Sequence, residues 1–178
     1  MTAYADLSGI SAHIERHIGR IHMVFHEIVS DDLHIDIHHV KSSLLRRFEV
    51  LVTSGMSALP MAVPGDSNEP RFAEIVTVLP KGWPLTKEAF SDERNYWPIR
   101  LMKTFARLPH RDNTWLGLGH TLANGESENL MTVRGWNASL RCRAVASLVT
   151  GRGLLVHEAR KRVRHLLLGR RPASPARA

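Results

Sequence analysis

The sequence predicts an α/β (α+β) domain, a mixed central β-sheet flanked by helices. Three observations point there. LHIDIHHV, RFEVLVT and FAEIVTVL are short runs of apolar, partly β-branched character bounded by turn residues. Isoleucines 10, 14, 18 and 21, and later the run SDERNYWPIRLMKTFARLP, carry apolar residues at helical intervals instead. Hydrophobic residues make up 43% of the 178 residues, enough to build one buried core.

Taken in order, Ser11 is placed to cap and Gly19 to stop a first amphipathic helix, expected over about residues 11–18. IHMVFHEIV alternates loosely, SDD turns, and LHIDIHHV alternates cleanly, with Leu33, Ile35 and Ile37 on one side and His34, Asp36 and His38 on the other. RFEVLVT gives a further strand. TSGMSALPMAVPGDSNEP reads as a long ordered loop from its Gly, Pro and Ser content. FAEIVTVL has the near-continuous apolar character of a central strand covered on both faces. PKGWP turns the chain, and Thr86 is placed to cap a short TKEAF helix. In the following helix Pro98 is tolerated without penalty only in the first turn, so the helix is expected to start near Asn95 or to kink, and to stop at Pro109. TWLGLGHT is expected to form a last short strand whose glycines admit a close approach.

Charge is divided unevenly along the chain. Through Glu128 there are 16 acidic and 13 basic residues; after it come 11 basic residues against Glu158 alone. The net +7 therefore belongs to the last fifty or so residues and is a weak argument for nucleic-acid binding by the body. One cysteine, Cys142, excludes an internal disulfide framework and a Cys-rich zinc site. No run approaches the roughly 18 apolar residues that cross a bilayer, and the first residues lack the pattern of a secretory signal. The expected location is cytoplasmic.

Two chemistries compete at HIDIHH. His34, Asp36 and His38 are metal-ligand types on one strand face, which would suit a small metal-dependent hydrolase, with His22, His26 or His120 as helpers. Alternate strand positions stand about 6.6 Å apart, however, so the outer two histidines would lie about 13 Å apart at the backbone. The preferred reading is an ordinary strand with its polar side facing water or a partner. Asp92, Glu93 and Arg94 form an acid, base and anion-holder set, but the same residues suit the start of a helix, where acids favour the positive end of the dipole. GMS lacks the flanking glycines of a nucleophile elbow, and GLGH lacks the later glycine of a dinucleotide fingerprint. No catalytic residue and no cofactor is assigned. Met56, Met61, Trp83, Tyr96 and Trp97 are expected to pack loops onto the core, and some of them to form an apolar protein-contact surface.

IERHIG, FHEIVSDDLHIDIHHV, LVTSGMSALPM, FAEIVTVLPKGWPL, DERNYWPIRLMKTFARLPH and TWLGLGHTLANG, taken together and in order over about residues 14–125, resemble the suppressor of fused domain in its single-domain bacterial form. The resemblance implies an α/β domain with a central sheet flanked by helices and with no established catalytic activity or cofactor. In eukaryotic relatives the domain helps bind a transcription factor of the Hedgehog pathway through a short extended peptide, with a cleft that also uses a second domain. Bacterial relatives often look like immunity proteins beside polymorphic toxins. The implied partner is thus a protein, a toxin in the most specific form.

The resemblance carries no further than TLANGE. Residues 1–125 are accordingly read as the domain, short of its usual C-terminal strands. Residues 126–178 are read as an atypical Arg-rich tail, weakly ordered, such as a frameshift in GC-rich DNA or a replaced C-terminus would produce. Within the tail, LVHEARKRVRHLLL places Leu155, Ala159, Val163 and Leu166 at helical intervals beside Arg160, Lys161, Arg162 and Arg164. This is the only pattern that suits a phosphate backbone or an anionic membrane surface.

Overall fold

The computed structural model describes residues 7–28, 33–67, 69–117, 120–123, 130–132 and 147–149. In chain order they form α1 (Leu7–His17), β1 (Met23–Phe25), β2 (Asp36–Val40), β3 (Phe48–Ser54), β4 (Glu74–Pro80), α2 (Glu93–Arg111), β5 (Thr121–Ala123), β6 (Leu130–Thr132) and β7 (Ser147–Val149). Single 3₁₀ turns span Met56–Ala58 and Ala89–Ser91. One sheet has the order β1-β2-β3-β4-β7, and β5 pairs with β6 separately. The fold is α+β.

Every strand pair among the described residues is antiparallel, so the sheet is not the mixed one expected. For β1–β2 and β2–β3 the connections explain this: both are shorter than the dozen or more residues that a parallel crossover needs.

Side-chain alternation sends the strands' apolar residues to two faces. Ile35, Ile37, Leu51, Ile75 and Leu79 pack with Ile99, Met102 and Ala106 of α2. Val40, Val50, Val52 and Val76 pack with Ile14 of α1, flanked by Ile10 and Ile18. This two-sided cover is why β4 reads as almost continuously apolar. Burying a side chain such as Ile37 or Leu51 is worth about 1.5–3 kcal/mol, and both have no exposed surface.

Helix boundaries differ from expectation. α1 starts at Leu7, which places Ser11 inside the helix rather than at its cap. The stripe of Ile10, Ile14 and Ile18 packs along the helix and outweighs the cap preference of one serine. The far end is as expected. Gly19, at φ 144°, turns the chain, and the N–H groups of Ile18 and Gly19 both donate to the Ile14 carbonyl at 2.8 and 3.1 Å. In α2 the Asp92 side chain accepts from the Arg94 N–H, so the helix begins at Glu93 and includes both Pro98 and Pro109. Pro109 does not stop it. Both prolines are buried, and apolar packing on α2 offsets the hydrogen bonds they cannot make. The helix closes two residues later, where the Asp112 N–H donates to Leu108, and Asn113 at φ 47° turns away.

TKEAF contributes only a 3₁₀ turn, started by Thr86, whose hydroxyl accepts from the Ala89 N–H at 3.2 Å. Residues 114–117 are not a strand; regular pairing begins only at Thr121. The Thr114 carbonyl accepts instead from Ala62 of the long loop, and the His120 N–H donates back to Gly117. The long loop is pinned at its far side by the Met61 N–H donating to Arg71 at 2.7 Å.

Gly55 sits where β3 hands over to that loop, at φ 119°, and a Cβ there would lie 2.0 Å from the His34 carbonyl oxygen. Gly55→Ala should therefore lower the urea midpoint by an amount corresponding to at least about 2 kcal/mol, from strain plus a backbone clash. Gly65→Ala, with nothing within 4 Å, should leave the midpoint unchanged.

Candidate functional site

The HIDIHH segment is not a wet strand face. Asp36 and His38 are each only 5% exposed, because α1 and the β1–β2 connection cover that side; His34 remains open to solvent. Polar partners make the burial tolerable. Asp36 accepts from His26 Nδ1 on one oxygen, and from His34 Nε2 and the Glu27 N–H on the other, all at 2.9 Å. Burial pushes the Asp36 carboxyl up, but these hydrogen bonds and the two nearby histidines outweigh it, and the net direction is down.

His38 does not join that group through a hydrogen bond. Its Nε2 shares a 2.9 Å bond with Ser54 Oγ on β3, and burial lowers its pKa against the opposing pull of Asp36. The structure thus gathers His34, Asp36 and His26 and turns His38 toward its neighbouring strand. His22 lies edge-on to His39, and His120 packs on Trp115. Among the described residues no three His, Cys, Asp or Glu side chains are placed to hold a metal ion.

Three glutamates that the sequence reading passed over organise the loops around this sheet. Glu74, 3% exposed, accepts on one oxygen from the Gly55 N–H, the Ser57 N–H and the Ser57 hydroxyl, and on the other from Thr53 Oγ1. Glu49, 4% exposed, accepts from His39 Nε2 and the Ser42 N–H at 2.9 and 2.8 Å and from the Gly82 N–H at 3.1 Å. Glu27 receives the Ile35 N–H and pairs with Arg107 and Lys103 of α2; Arg107 also donates to the Leu33 carbonyl. The signal for two of them was present in the sequence: a lone acid inside the strands FEVLVTS and EIVTVLP has to be satisfied there.

Of the protein-contact candidates, Met56 and Met61 lie in the main core at 0% and 1% exposure and support the surface from beneath. The Met56 carbonyl accepts from His110 Nε2, which ties the loop to α2. Trp83, Tyr96 and Trp97 are half-buried. Trp83 Nε1 donates to the Asn95 carbonyl and its ring meets Trp97 edge-on at 6.2 Å, while Tyr96 packs on Phe90 at 5.4 Å. The Trp83–Trp97 pair and the Tyr96–Phe90 pair together give an aromatic edge near the start of α2. Beside them Asp92 pairs with Arg94 and Glu93 with Arg100 in exposed ion pairs at 2.7 and 2.6 Å, so this charge set is occupied at the helix start. Cys142 and the tail segment LVHEARKRVRHLLL lie outside the described residues, and among those described no helix is long and apolar enough to cross a membrane.

The Glu49 carboxyl is pushed up by burial, yet the bonds from His39, Ser42 and Gly82 bring it down from its ordinary 4.5 to about 2. Burial lowers His39 below its ordinary 6.5 in spite of Glu49, so a neutral imidazole donates to a carboxylate. The signs agree. A depressed carboxyl contributes stability that is complete above its unfolded pKa and is lost as the pH falls toward 2. A histidine kept neutral loses ground once the pH drops below 6.5, because the unfolded chain takes up the proton. Urea midpoints should therefore fall from pH 7 to pH 3, with Glu49 contributing about 2 kcal/mol of that loss and the remainder of its contribution lost only below pH 3. Glu49→Gln should lower the midpoint at pH 7 and flatten its acid limb.

Compared with known proteins, residues 31–147 match the family model described as suppressor of fused protein (SUFU). The match starts after residue 14 and runs past residue 125, so it takes in β6 and reaches the start of β7. No curated protein and no solved structure matches the chain.

Proposed function

The chain belongs to the suppressor of fused family, and from that membership we propose that it is a non-catalytic protein-binding module. One observation carries the reading: the buried acids, groups from which an active site is often built, are engaged in holding loops. Asp36, Glu49 and Glu74 each accept three or more hydrogen bonds from groups that fix the chain's own path. The scaffold is rigid where these bonds lie, and what it offers outward is the loop over residues 55–71 and the aromatic edge of Trp83, Tyr96 and Trp97. Aromatic residues with a packed base and an open side are the usual anchors of a protein interface.

In a bacterial cell the specific role we propose is immunity, in which the module covers a surface of a toxin and blocks it. The protein made from the adjacent reading frame is the partner to try. Mixed with the purified chain, it should elute as a stable complex in size-exclusion chromatography and lose its toxicity on co-expression. Tyr96→Ala should weaken that complex about tenfold or more while the variant stays folded by circular dichroism. Glu93→Gln, at an exposed pair, should change neither stability nor binding measurably. A hydrolytic activity of the purified chain that Glu93→Gln or Asp36→Asn abolishes without unfolding it would establish an enzyme instead.

A further inference from the structure

The connection between β2 and β3 ends in an unusual turn. Ser43 and Arg46 exchange main-chain hydrogen bonds, Ser43 N–H to Arg46 at 2.8 Å and the reverse at 3.3 Å, which leaves Leu44 and Leu45 as the two turn residues. Neither leucine has a positive φ, so the turn does not require Gly or Asn, but polar residues are the usual occupants of an exposed turn. The two leucines are 94% and 102% exposed. The tip is also held in place. Arg46 donates to the Ile18 and Lys41 carbonyls, both at 2.6 Å, and its guanidinium lies 5.8 Å from the Phe48 ring centre. Folding gains nothing from two leucines left in water, so stability alone gives no reason for them here.

Beside the tip is a cavity of about 600 Å³ lined by Arg20, Ile21, His22, Val40 and Lys41. Gly19 helps to keep it open, since a Cβ there would meet Val40 and Arg46 at 3.2–3.3 Å. Its surroundings are basic. Over residues 13–22 and 40–48 the cations are Arg16, Arg20, Lys41, Arg46 and Arg47, and Glu15 is the single exposed acid. Among the described residues Arg20, Lys41 and Arg47 make no ion pair, whereas Arg94, Arg100, Arg107 and Arg111 of α2 each have a carboxylate partner.

We propose that the Leu44–Leu45 tip and the basic recess beside it form a docking surface for an acidic protein segment that carries apolar side chains. The leucines pack against the apolar residues, and Arg20, Lys41 and Arg47 meet the carboxylates. The recess favours a protein segment over a bilayer, because a side chain enters it and a flat surface does not. This rests on the protein-binding reading and adds to it a second surface, apart from the aromatic edge, with its own partner chemistry.

The test uses the full chain and a fluorescent decapeptide of alternating glutamate and leucine, with fluorescence anisotropy as readout. Wild type should bind it, less tightly as salt rises. Leu44→Ser/Leu45→Ser and Arg20→Ser/Lys41→Ser/Arg47→Ser should each weaken binding at least fivefold while the urea midpoint stays put. Full binding by both variants, as the arginines after residue 134 would give by themselves, overturns the proposal, as does no binding by wild type. Binding to phosphatidylserine vesicles that depends on the same residues, with none to the peptide, assigns the surface to a membrane and also overturns it. In any of these cases an intact complex with the adjacent gene product would leave the protein-binding reading standing on another surface.

Discussion

The main-chain ladder between β3 and β4 runs as far as Val52 and Val76, and beyond that pair the Glu74 carboxylate takes over the work of main-chain pairing. Thr53 bridges the gap, accepting the Ile75 N–H at 2.8 Å and donating to Glu74 at 2.7 Å. Glu74 then collects Gly55 and Ser57, which sets the direction in which the long loop leaves the sheet. A carboxylate this deep would cost several kcal/mol if it lacked partners. Four donors offset that cost, and they are drawn from the loop that needs placing. Met56 and Met61 reach the core because their loop leaves in this direction, and His110 of α2 closes on the Met56 carbonyl behind them.

The same device recurs at other corners of the sheet. Glu49 holds the β2–β3 connection and the turn after β4 at once; Glu27 holds α2 against the β1–β2 connection; Asp36 draws in the chain around residues 26–27. Each acid sits at or near the point where main-chain pairing ends, and each takes N–H groups that a regular strand would have paired. Chemistry and architecture compete for such groups. A carboxylate that accepts three or four structural hydrogen bonds is a poor base, and a histidine locked to a neighbouring acid or serine has little freedom to exchange protons with a substrate. The fold's polar interior is therefore given over to holding the chain's own path.

Much of this was legible in the sequence, for physical reasons that also mark where reading stopped. Strands with period-two or all-apolar patterns stand where their residues placed them, because their two faces meet two different helices. Family membership was legible in TSGMSALPM and DERNYWPIR, and the structure gives those strings meaning: Thr53, Gly55 and Ser57 are partners of Glu74, and Asp92 is the cap of α2. Pro109 misled: it argued for a stop, but the helix runs on to Arg111. The antiparallel arrangement follows from connections whose geometry the sequence leaves open. The acid clusters were hidden most deeply, since Glu27 meets Arg107 from 80 positions away and periodicity says nothing about such pairs.

Buried carboxylates, rather than apolar contact alone, fix the loops around this sheet. Amide hydrogen exchange by NMR in wild type and Glu74→Ala tests it most directly. The account predicts that the Gly55 and Ser57 amides lose roughly tenfold to a hundredfold of their protection relative to Leu51 in the middle of β3, the expected scale for hydrogen bonds to a charged acceptor. Unchanged protection of Gly55 and Ser57 relative to Leu51 would contradict it.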